Sequence, residues 1–250
     1  MSDRADSRGP VLAIDAGNTR IKWGLHDGDA WIATGAVATS EAASIADAWA
    51  ALPRLAHAIA CNVAGAEVQR RIAEACAAHG AKLRVVTASA AQLGVTNGYR
   101  DPAQLGADRW AALVAAHAVG PGAKLVVNVG TALTIDALAA EGRFQGGLIV
   151  PGPDLMRSAL ASGTARLPLA AGAFREFPDS TEDAIASGAL QACVGAIVRM
   201  RHAMTGHGMA PEHVIVSGGA ARAIAPLLPM AFSIHENLVL DGLARIARLT

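Results

Sequence analysis

Residues 11–25 read VLAIDAGNTRIKWGL, and this stretch sets the pattern on which the rest of the chain is organised. A short apolar run at 11–15 stops at a turn signal at 16–19, and a second run follows at 21–25. With a third run near 31–37, the segment predicts an antiparallel meander of three strands. Helical patterns at 40–52 and 67–78 and strand patterns at 58–61 and 83–86 then follow.

The same order of elements recurs after residue 118. Strand patterns at 124–129, 133–138 and 144–150 are followed by helices, of which the longest runs from about 181 to 204. A strand at 214–216 and a helix from about Leu238 complete the chain. This repetition predicts an α/β fold of two similar lobes with a cleft between them. We expect a flexible N-terminus at 1–10, an N-terminal lobe at 11–119 and a C-terminal lobe at 120–250.

The composition excludes several classes of protein. Of 250 residues, 52% are hydrophobic and 17% charged, which excludes a disordered chain. Lys plus Arg and Asp plus Glu both number 21, so the net charge of zero argues against non-specific binding to nucleic acid or to an anionic membrane. Three scattered cysteines, a polar N-terminus and the lack of a run of roughly 20 apolar residues predict a cytoplasmic protein.

Two glycine turns are candidates for phosphate binding. In Asp15-Ala16-Gly17-Asn18-Thr19-Arg20-Ile21-Lys22, backbone amides of the turn could cradle a phosphate while Asp15 holds a metal ion through water. Asn128-Val129-Gly130-Thr131-Ala132 is the counterpart in the second half. A polyphosphate held between the two turns would explain both. Two ordinary hairpin turns remain the alternative, because Gly and Asn favour turns in any case.

The segment at 97–110, NGYRDPAQLGADRW, carries a different kind of signal. Gly106 ends a loop, and apolar spacing predicts that a helix follows, with Asp108 and Arg109 in its first turn. Asp108 could simply cap the helix. A cation such as Arg109 is unfavourable at a helix N-terminus, because it opposes the dipole. Together with Tyr99, the single tyrosine, this pair could hold a small substrate that bears a hydroxyl and a carboxylate.

Taken together, these motifs resemble those of a known family, the type III pantothenate kinases, which belong to the acetate and sugar kinase, Hsp70 and actin superfamily. The resemblance rests on the order and spacing of five pieces: DAGNTRIK at 15–22, GYRDP and LGADRW within 98–110, NVGTALTID at 128–136, GGLIVPG at 146–152 and the helix start at Thr181. It implies a duplicated ribonuclease-H-like (actin-like ATPase) fold. It also implies transfer of the ATP γ-phosphoryl group to pantothenate, the first committed step towards coenzyme A.

The resemblance also implies roles for particular residues. ATP would contact one set, which comprises Asp15, Ala16, Gly17, Asn18, Thr19, Arg20, Lys22 and Thr131. Pantothenate would contact a second set, which comprises Tyr99, Gly106, Ala107, Asp108, Arg109 and Thr181. Asp108 would also accept the proton. The family implies Mg²⁺ with ATP and a homodimer with pantothenate bound near the dimer interface.

One position departs from the family pattern. Many members carry Asp where this chain has Asn128, and that carboxylate holds K⁺ or NH₄⁺ beside the phosphates. Asn128 offers only a neutral carbonyl, so we expect weaker affinity for the monovalent cation. Asp136, at the end of the next strand, is a candidate for compensation, or only a polar strand end.

Two rival functions remain at this stage. A sugar or acetate kinase of the same superfamily would share the ATP loops, but a sugar has no carboxylate for Arg109. A nucleotide-binding regulator that assists transcription would share the fold without turnover. The balanced charge and the lack of a helix-turn-helix signal weigh against direct contact with DNA.

Overall fold

The structure is a computed structural model that describes residues 9–164 and 172–250. The strands are β1 (Val11–Ala16), β2 (Arg20–His26), β3 (Trp31–Ala38), β4 (His57–Asn62), β5 (Lys82–Val85), β6 (Ala91–Gln92), β7 (Val95–Asn97), β8 (Lys124–Val129), β9 (Ala132–Leu138), β10 (Arg143–Pro151), β11 (His213–Ser217) and β12 (Ser233–Ile234). The α-helices are α1 (Ile45–Ala48), α2 (Ala66–Ala78), α3 (Ala107–His117), α4 (Pro153–Gly163), α5 (Thr181–Gly206), α6 (Ala221–Ile224) and α7 (Leu238–Leu249). Short 3-10 helices lie at Thr39–Ser44, Pro102–Gln104 and Ala225–Leu227.

The chain folds into two compact units. The first contains the described residues up to Val119 together with Leu238–Thr250, and the second contains Gly120–Asn237. The predicted C-terminal lobe extended to residue 250, so the structure corrects it: α7 belongs to the first unit, where it packs on α3 and β1. The flexible N-terminus predicted at 1–10 lies, for residues 1–8, outside the described residues.

The first unit is built on a five-stranded sheet in the order β3-β2-β1-β4-β5. The meander β1-β2-β3 is antiparallel, whereas β4 pairs with β1 in parallel, which requires a crossover connection such as the segment between β3 and β4. β1 is buried on both faces, so its apolar run is continuous rather than alternating. Leu12 and Ile14 face the core cluster that also contains Ile45, Trp49 and Ile72.

The second unit repeats this arrangement. Its strands follow the order β10-β9-β8-β11-β12, in which β8 and β9 are antiparallel and β11 joins β8 in parallel. Strand for strand this is the order of the first unit, with β8 in the place of β1. The core below the sheet combines β8, β9 and β11 with α5, through residues such as Val127, Ile135 and Ile197. The duplication predicted from the repeated meander is therefore present.

One predicted helix is wrong. The segment at 40–52 forms a 3-10 helix at Thr39–Ser44 and a single α-helical turn at Ile45–Ala48. Glu41 leaves helical geometry at φ −108° and ψ 24°, and Ser44 donates a hydrogen bond from Oγ to the Glu41 carbonyl. A side chain that bonds the backbone locally competes with helix formation, which accounts for the break.

Candidate active site

The turn after β1 is a tight hairpin turn, and hydrogen bonds from a residue outside the hairpin fix its backbone. Gly17 donates its N–H to the Arg20 carbonyl at 3.1 Å, which closes the turn. Thr39, at the end of β3, donates from Oγ1 to the Gly17 carbonyl at 2.7 Å and from N–H to the Thr19 carbonyl at 2.9 Å. The exposed side chains of Asn18, Thr19 and Arg20 are thereby presented on a fixed backbone. The sequence analysis missed Thr39, because an isolated threonine after a strand carries no signal of its own.

Asp15 lies at the centre of a polar row that crosses three strands. In the sheet it stands directly opposite Lys22 on β2 and opposite Cys61 on β4. Cys61 Sγ donates to Asp15 Oδ1 at 3.4 Å. Burial and the negative charge of Asp108 raise the pKa of Asp15 to about 6, although the Cys61 hydrogen bond and Lys22 act in the opposite direction. The ionised form of Asp15 is therefore destabilised at this position.

α3 carries Asp108 and Arg109 in its first turn, as predicted. The cap of the helix is Gly106, and no side chain caps it, so the alternative that Asp108 serves as the N-cap is wrong. Asp108 Oδ1 instead accepts from the Arg109 N–H at 2.8 Å. A Cβ on Gly106 would lie only 2.6 Å from that same oxygen, so glycine makes room for the carboxylate. Because the Asp108 charge acts on Asp15, the two acidic groups share one electrostatic environment.

Arg109 and Tyr99 are in direct contact. Arg109 Nη1 donates to Tyr99 Oη at 3.0 Å, and the guanidinium carbon lies 5.7 Å from the centre of the tyrosine ring. Arg109 is 5% exposed, so its cation is buried beneath the start of α3. The unfavourable position inferred from the sequence is thus resolved in part by the phenol, which accepts from the guanidinium. Arg109 is therefore a buried cation rather than a surface charge.

The loop that carries Tyr99 is organised by Asn97. Its Oδ1 accepts from the Tyr99 N–H at 3.0 Å, and its Nδ2 donates to the Pro102 carbonyl at 3.2 Å. Asp101 Oδ1 then accepts from the Ala103 N–H at 3.0 Å and caps the following 3-10 turn. These Asx contacts fix the loop without regular secondary structure.

The second unit places Asn128 where the first has Asp15. Both are the fifth residue of the central strand. Asn128 stands opposite Thr134 on β9 and opposite Ser217 on β11, so a neutral row of oxygens replaces the charged row of the first unit. Gly218 adopts φ +98°, and a Cβ there would lie 2.6 Å from Asn128 Oδ1. Asp136 lies two residues beyond Thr134 on β9 and is 1% exposed.

Thr131 lies in the turn between β8 and β9 and is exposed. Its carbonyl accepts from the Gly152 N–H at 2.8 Å, and Gly130 donates its N–H to the Ala132 carbonyl at 3.0 Å. This bond closes the turn as the Gly17 bond does in the first unit, but the turn is one residue shorter. Any Cβ on Gly152 would collide with the Gly130 carbonyl, so the glycine is required for the close approach.

Thr181 is the first residue of α5 and is exposed. Ser180 caps the helix by accepting from the Asp183 N–H at 3.2 Å. The same threonine lines a groove of about 690 Å³ whose other lining residues are apolar or glycine: Pro151, Met156, Ala159, Leu160, Ala184, Ile185, Gly188 and Ala189.

The first unit thus brings together Asp15, Lys22, Tyr99, Asp108 and Arg109, whereas the other predicted contacts, Asn128, Thr131 and Thr181, belong to the second unit. In the described ranges, no group of three or more His, Cys, Asp or Glu side chains forms a metal cage. Mg²⁺ in kinases is held by one or two carboxylates together with phosphates, so a cage is not required. A half-buried Asp15 with a raised pKa beside a second carboxylate fits such a cation.

Solved structures resemble the whole chain at low identity and therefore show its fold. A candidate 2-dehydro-3-deoxygalactonokinase from Sinorhizobium meliloti superposes with a TM-score of 0.61 at 18% identity, and the match covers 96% of each chain. A candidate Baf family transcriptional activator from Campylobacter jejuni gives 0.58 at 18% identity, over 95% of this chain and 98% of the other. The fold is the actin-like ATPase and sugar-kinase fold, with duplicated ribonuclease-H-like sheets.

Sequence relatives identify the family. The model of the type III pantothenate kinases matches residues 11–203. A type III pantothenate kinase from Aromatoleum aromaticum is 50% identical over 238 residues, which cover 95% of this chain and 98% of that protein. Another from Nitrosospira multiformis is 46% identical over 241 residues, which cover 96% and 92%. The chain belongs to the type III pantothenate kinase family.

Proposed function

We propose that this chain transfers the γ-phosphoryl group of ATP to the primary hydroxyl of pantothenate. The observation that carries the proposal is the start of α3, where Asp108 and the buried Arg109 are adjacent and Arg109 contacts Tyr99. Pantothenate has an anionic end and an alcohol, and these are the two groups that such a pair recognises. The membership of the chain in the family supports the same substrate.

Arg109 binds the substrate carboxylate in this proposal. A planar guanidinium donates two parallel hydrogen bonds to a carboxylate, which a lysine ammonium cannot do. The Tyr99 hydroxyl accepts from Nη1 and so limits the orientations of the fork. Gly106 and Ala107 complete the pantothenate contacts through the backbone at the start of α3.

Asp108 orients the substrate alcohol. An alcohol is too weak an acid to be ionised beforehand by a carboxylate, so Asp108 accepts a hydrogen bond from the hydroxyl and takes the proton late in the transfer. The alcohol oxygen is then aimed at the γ-phosphorus. Positioning supplies most of the acceleration in a phosphoryl transfer with a loose transition state.

ATP contacts the turn that follows β1, through residues 16–20, and Lys22. Thr131, in the equivalent turn of the second unit, is a further contact. Asp15 would hold Mg²⁺ through water, and the cation would offset the negative charge that burial and Asp108 make unfavourable there. When bound, the cation neutralises charge on the phosphates.

Asn128 weakens the dependence on a monovalent cation. Its carbonyl, with Thr134 and Ser217 on either side, offers only neutral oxygens. K⁺ or NH₄⁺ then binds less tightly than at a carboxylate. We expect substantial activity in sodium or Tris buffers; activity that vanishes without potassium and saturates at a low potassium concentration would contradict this.

A homodimer and a cytoplasmic location are parts of the same proposal. The apolar groove beside Thr181 supports a contact of this face with a second copy of the chain. Three buried free cysteines, Cys61, Cys76 and Cys193, are typical of a reducing compartment. Sedimentation equilibrium tests the dimer, and a monomer at micromolar concentration would contradict it. Helices long and apolar enough to cross a membrane are not found in the described ranges.

The proposal is tested by an assay of the purified chain with ATP and pantothenate beside a panel of sugars and acetate. We expect phosphorylation of pantothenate alone. A preference for a sugar would support the kinase rival, whereas DNA binding at physiological salt without any turnover would support the regulatory one.

A further inference from the structure

Cys61 contacts the proposed active site from a position that the reaction itself does not use. It lies on β4, directly opposite Asp15 on the neighbouring strand β1. Its Sγ is 3.4 Å from Asp15 Oδ1, and its side chain is 0% exposed. The backbone register of the parallel pair places the two side chains next to each other, so only their rotamers decide whether the contact forms.

The direction of the hydrogen bond follows from the surroundings of the thiol. Burial and the charges of Asp15 and Asp108 raise the pKa of Cys61 well above its ordinary value, so the sulfur keeps its proton. A protonated thiol beside a carboxylate donates, and Asp15 accepts. The same surroundings make Cys61 a poor nucleophile.

Asp15 needs such a donor because its neighbour is another acid. The negative charge of Asp108 repels the Asp15 carboxylate, and burial withdraws water from it. Lys22 attracts it from the opposite strand. The Cys61 thiol limits rotation of the Asp15 carboxylate, because any other rotamer would lose the hydrogen bond to Asp15 Oδ1.

The duplicated architecture offers an independent comparison. In the second unit the residue equivalent to Cys61 is Ser217, which stands opposite Asn128 on β11. A small side chain with a hydrogen-bond donor therefore occupies this place in both sheets. The comparison also indicates that serine is compatible with the backbone there.

We infer that Cys61 is a positioning residue for the kinase reaction, whose thiol holds the Asp15 carboxylate in the orientation in which it receives the magnesium-nucleotide complex. The inference rests on the proposed role of Asp15 and goes beyond it, since it concerns a residue that touches neither substrate. Loss of the donor leaves the charge of Asp15 in place but lets the carboxylate adopt other rotamers.

The test replaces the thiol in three ways and measures nucleotide binding directly. Cys61→Ala and Cys61→Val both remove the donor, the first with loss of volume and the second without. Cys61→Ser keeps a donor. Cys76→Ala is the matched control, because Cys76 is a buried cysteine of the same unit on α2, where burial raises its pKa to about 12.

Calorimetry with Mg²⁺ and a non-hydrolysable ATP analogue gives the affinity without turnover. We expect Cys61→Ala and Cys61→Val to weaken binding about threefold to tenfold, in line with the loss of one ordinary hydrogen bond, because a thiol is a weak donor. Cys61→Ser should bind within about twofold of the unaltered chain, as should Cys76→Ala. KM for pantothenate should stay unchanged in all four variants, whereas KM for ATP should follow the measured affinity.

Three results would overturn the inference: unchanged affinity in both donor-free variants, a loss in Cys61→Ser as large as in Cys61→Ala, or an equal loss in Cys76→Ala. If Cys61→Ala does not fold, the comparison of Cys61→Val with Cys61→Ser decides. Asp15→Asn separates this failure from that of the proposed function. If Asp15→Asn binds the nucleotide normally, the proposed role of Asp15 is wrong. If Asp15→Asn binds weakly but Cys61→Ala and Cys61→Val bind normally, only the proposed role of Cys61 is wrong.

Discussion

At the scale of single residues, the ionised form of Asp15 lowers the stability of the folded protein. Its pKa of about 6 means that the folded protein binds this proton more tightly than the unfolded chain does. The stabilisation from the protonated form is present below pH 4 and is lost as the pH rises to about 6. Above that, an ionised Asp15 destabilises the fold in the absence of a bound cation.

Asp15→Asn should therefore raise the stability of the free protein at pH 8. The rise of the Asp15 pKa from 3.8 to about 6 corresponds to roughly 3 kcal/mol, and we expect about 2 kcal/mol after relaxation of the site. Urea unfolding without nucleotide or divalent cation, at pH 8 and at pH 4.5, measures the difference. It should shrink towards the lower pH, and a variant that is less stable at pH 8 would contradict the electrostatic account.

Residue roles were only partly predictable from the sequence. Tyr99 and Arg109 were joined because both have a chemistry that is unusual for this chain: a single tyrosine, and a cation at a helix start. The three cysteines form no recognisable spacing in the sequence, so nothing there distinguishes Cys61, which is buried in the structure. Its contact with Asp15 depends on the register between β1 and β4, which lie 40 residues or more apart in the chain, and local pattern does not encode that register.

At the scale of elements, β2 and β3 pack together because a tryptophan of each strand lies over a glycine of the other. Trp23 on β2 stands opposite Gly35 on β3, and a Cβ on Gly35 would lie 2.5 Å from Trp23 Cζ2. Trp31 covers Gly24 in the same way, at 2.6 Å. These bare backbone positions let two large rings lie against the meander that carries the turn at 16–19.

Gly35→Ala should destabilise the protein by about 1–3 kcal/mol, as overpacking of a filled site does. The usual gain from replacing a strand glycine, about 0.5–1 kcal/mol, is smaller than this cost. Trp23→Phe removes the ring edge that the new methyl would meet. In a double-mutant cycle of chemical unfolding, the two changes should therefore cost less together than the sum of the single changes. If the losses of stability from Gly35→Ala and Trp23→Phe simply add, the Trp23 ring is not the group with which the new methyl collides.

Element boundaries were predictable where glycine turns interrupt apolar runs. The strand predicted at 124–129 has those bounds, and the strands of the first meander were located to within one residue. The hairpin β6–β7 was missed, because its turn uses Leu93 at φ 48° before Gly94, and leucine carries no turn signal. The helix predicted at 40–52 failed for the opposite reason: alanine-rich spacing favours a helix, and a local side-chain contact broke it.

At the scale of the whole molecule, the end of the chain returns to its beginning. α7 packs on α3, and the backbone of Gly242 touches the backbone of Ala111. The sequence could predict an amphipathic helix from Leu238, but an apolar face does not say which sheet or helix will cover it. Because α3 begins with Asp108 and Arg109, the last helix supports the element that carries the proposed substrate site.

Gly242→Ala should be strongly destabilising, because its Cβ would collide with the Ala111 carbonyl and neither backbone can yield without separating the helices. We expect a loss of more than about 3 kcal/mol. Gly195→Ala is the control, since no atom of the described residues lies within 4 Å of its new Cβ on α5, and it should gain up to about 1 kcal/mol. Thermal unfolding compares the two, and similar melting temperatures would contradict the packing described.

The most direct measurement is the steady-state kinetics of Asp108→Asn and Arg109→Lys with pantothenate, at saturating ATP. If the start of α3 divides its work between proton acceptance and anion binding, Asp108→Asn lowers kcat by about 10²-fold or more, while Arg109→Lys mainly raises KM for pantothenate. Equal effects of both changes on both parameters would contradict that division.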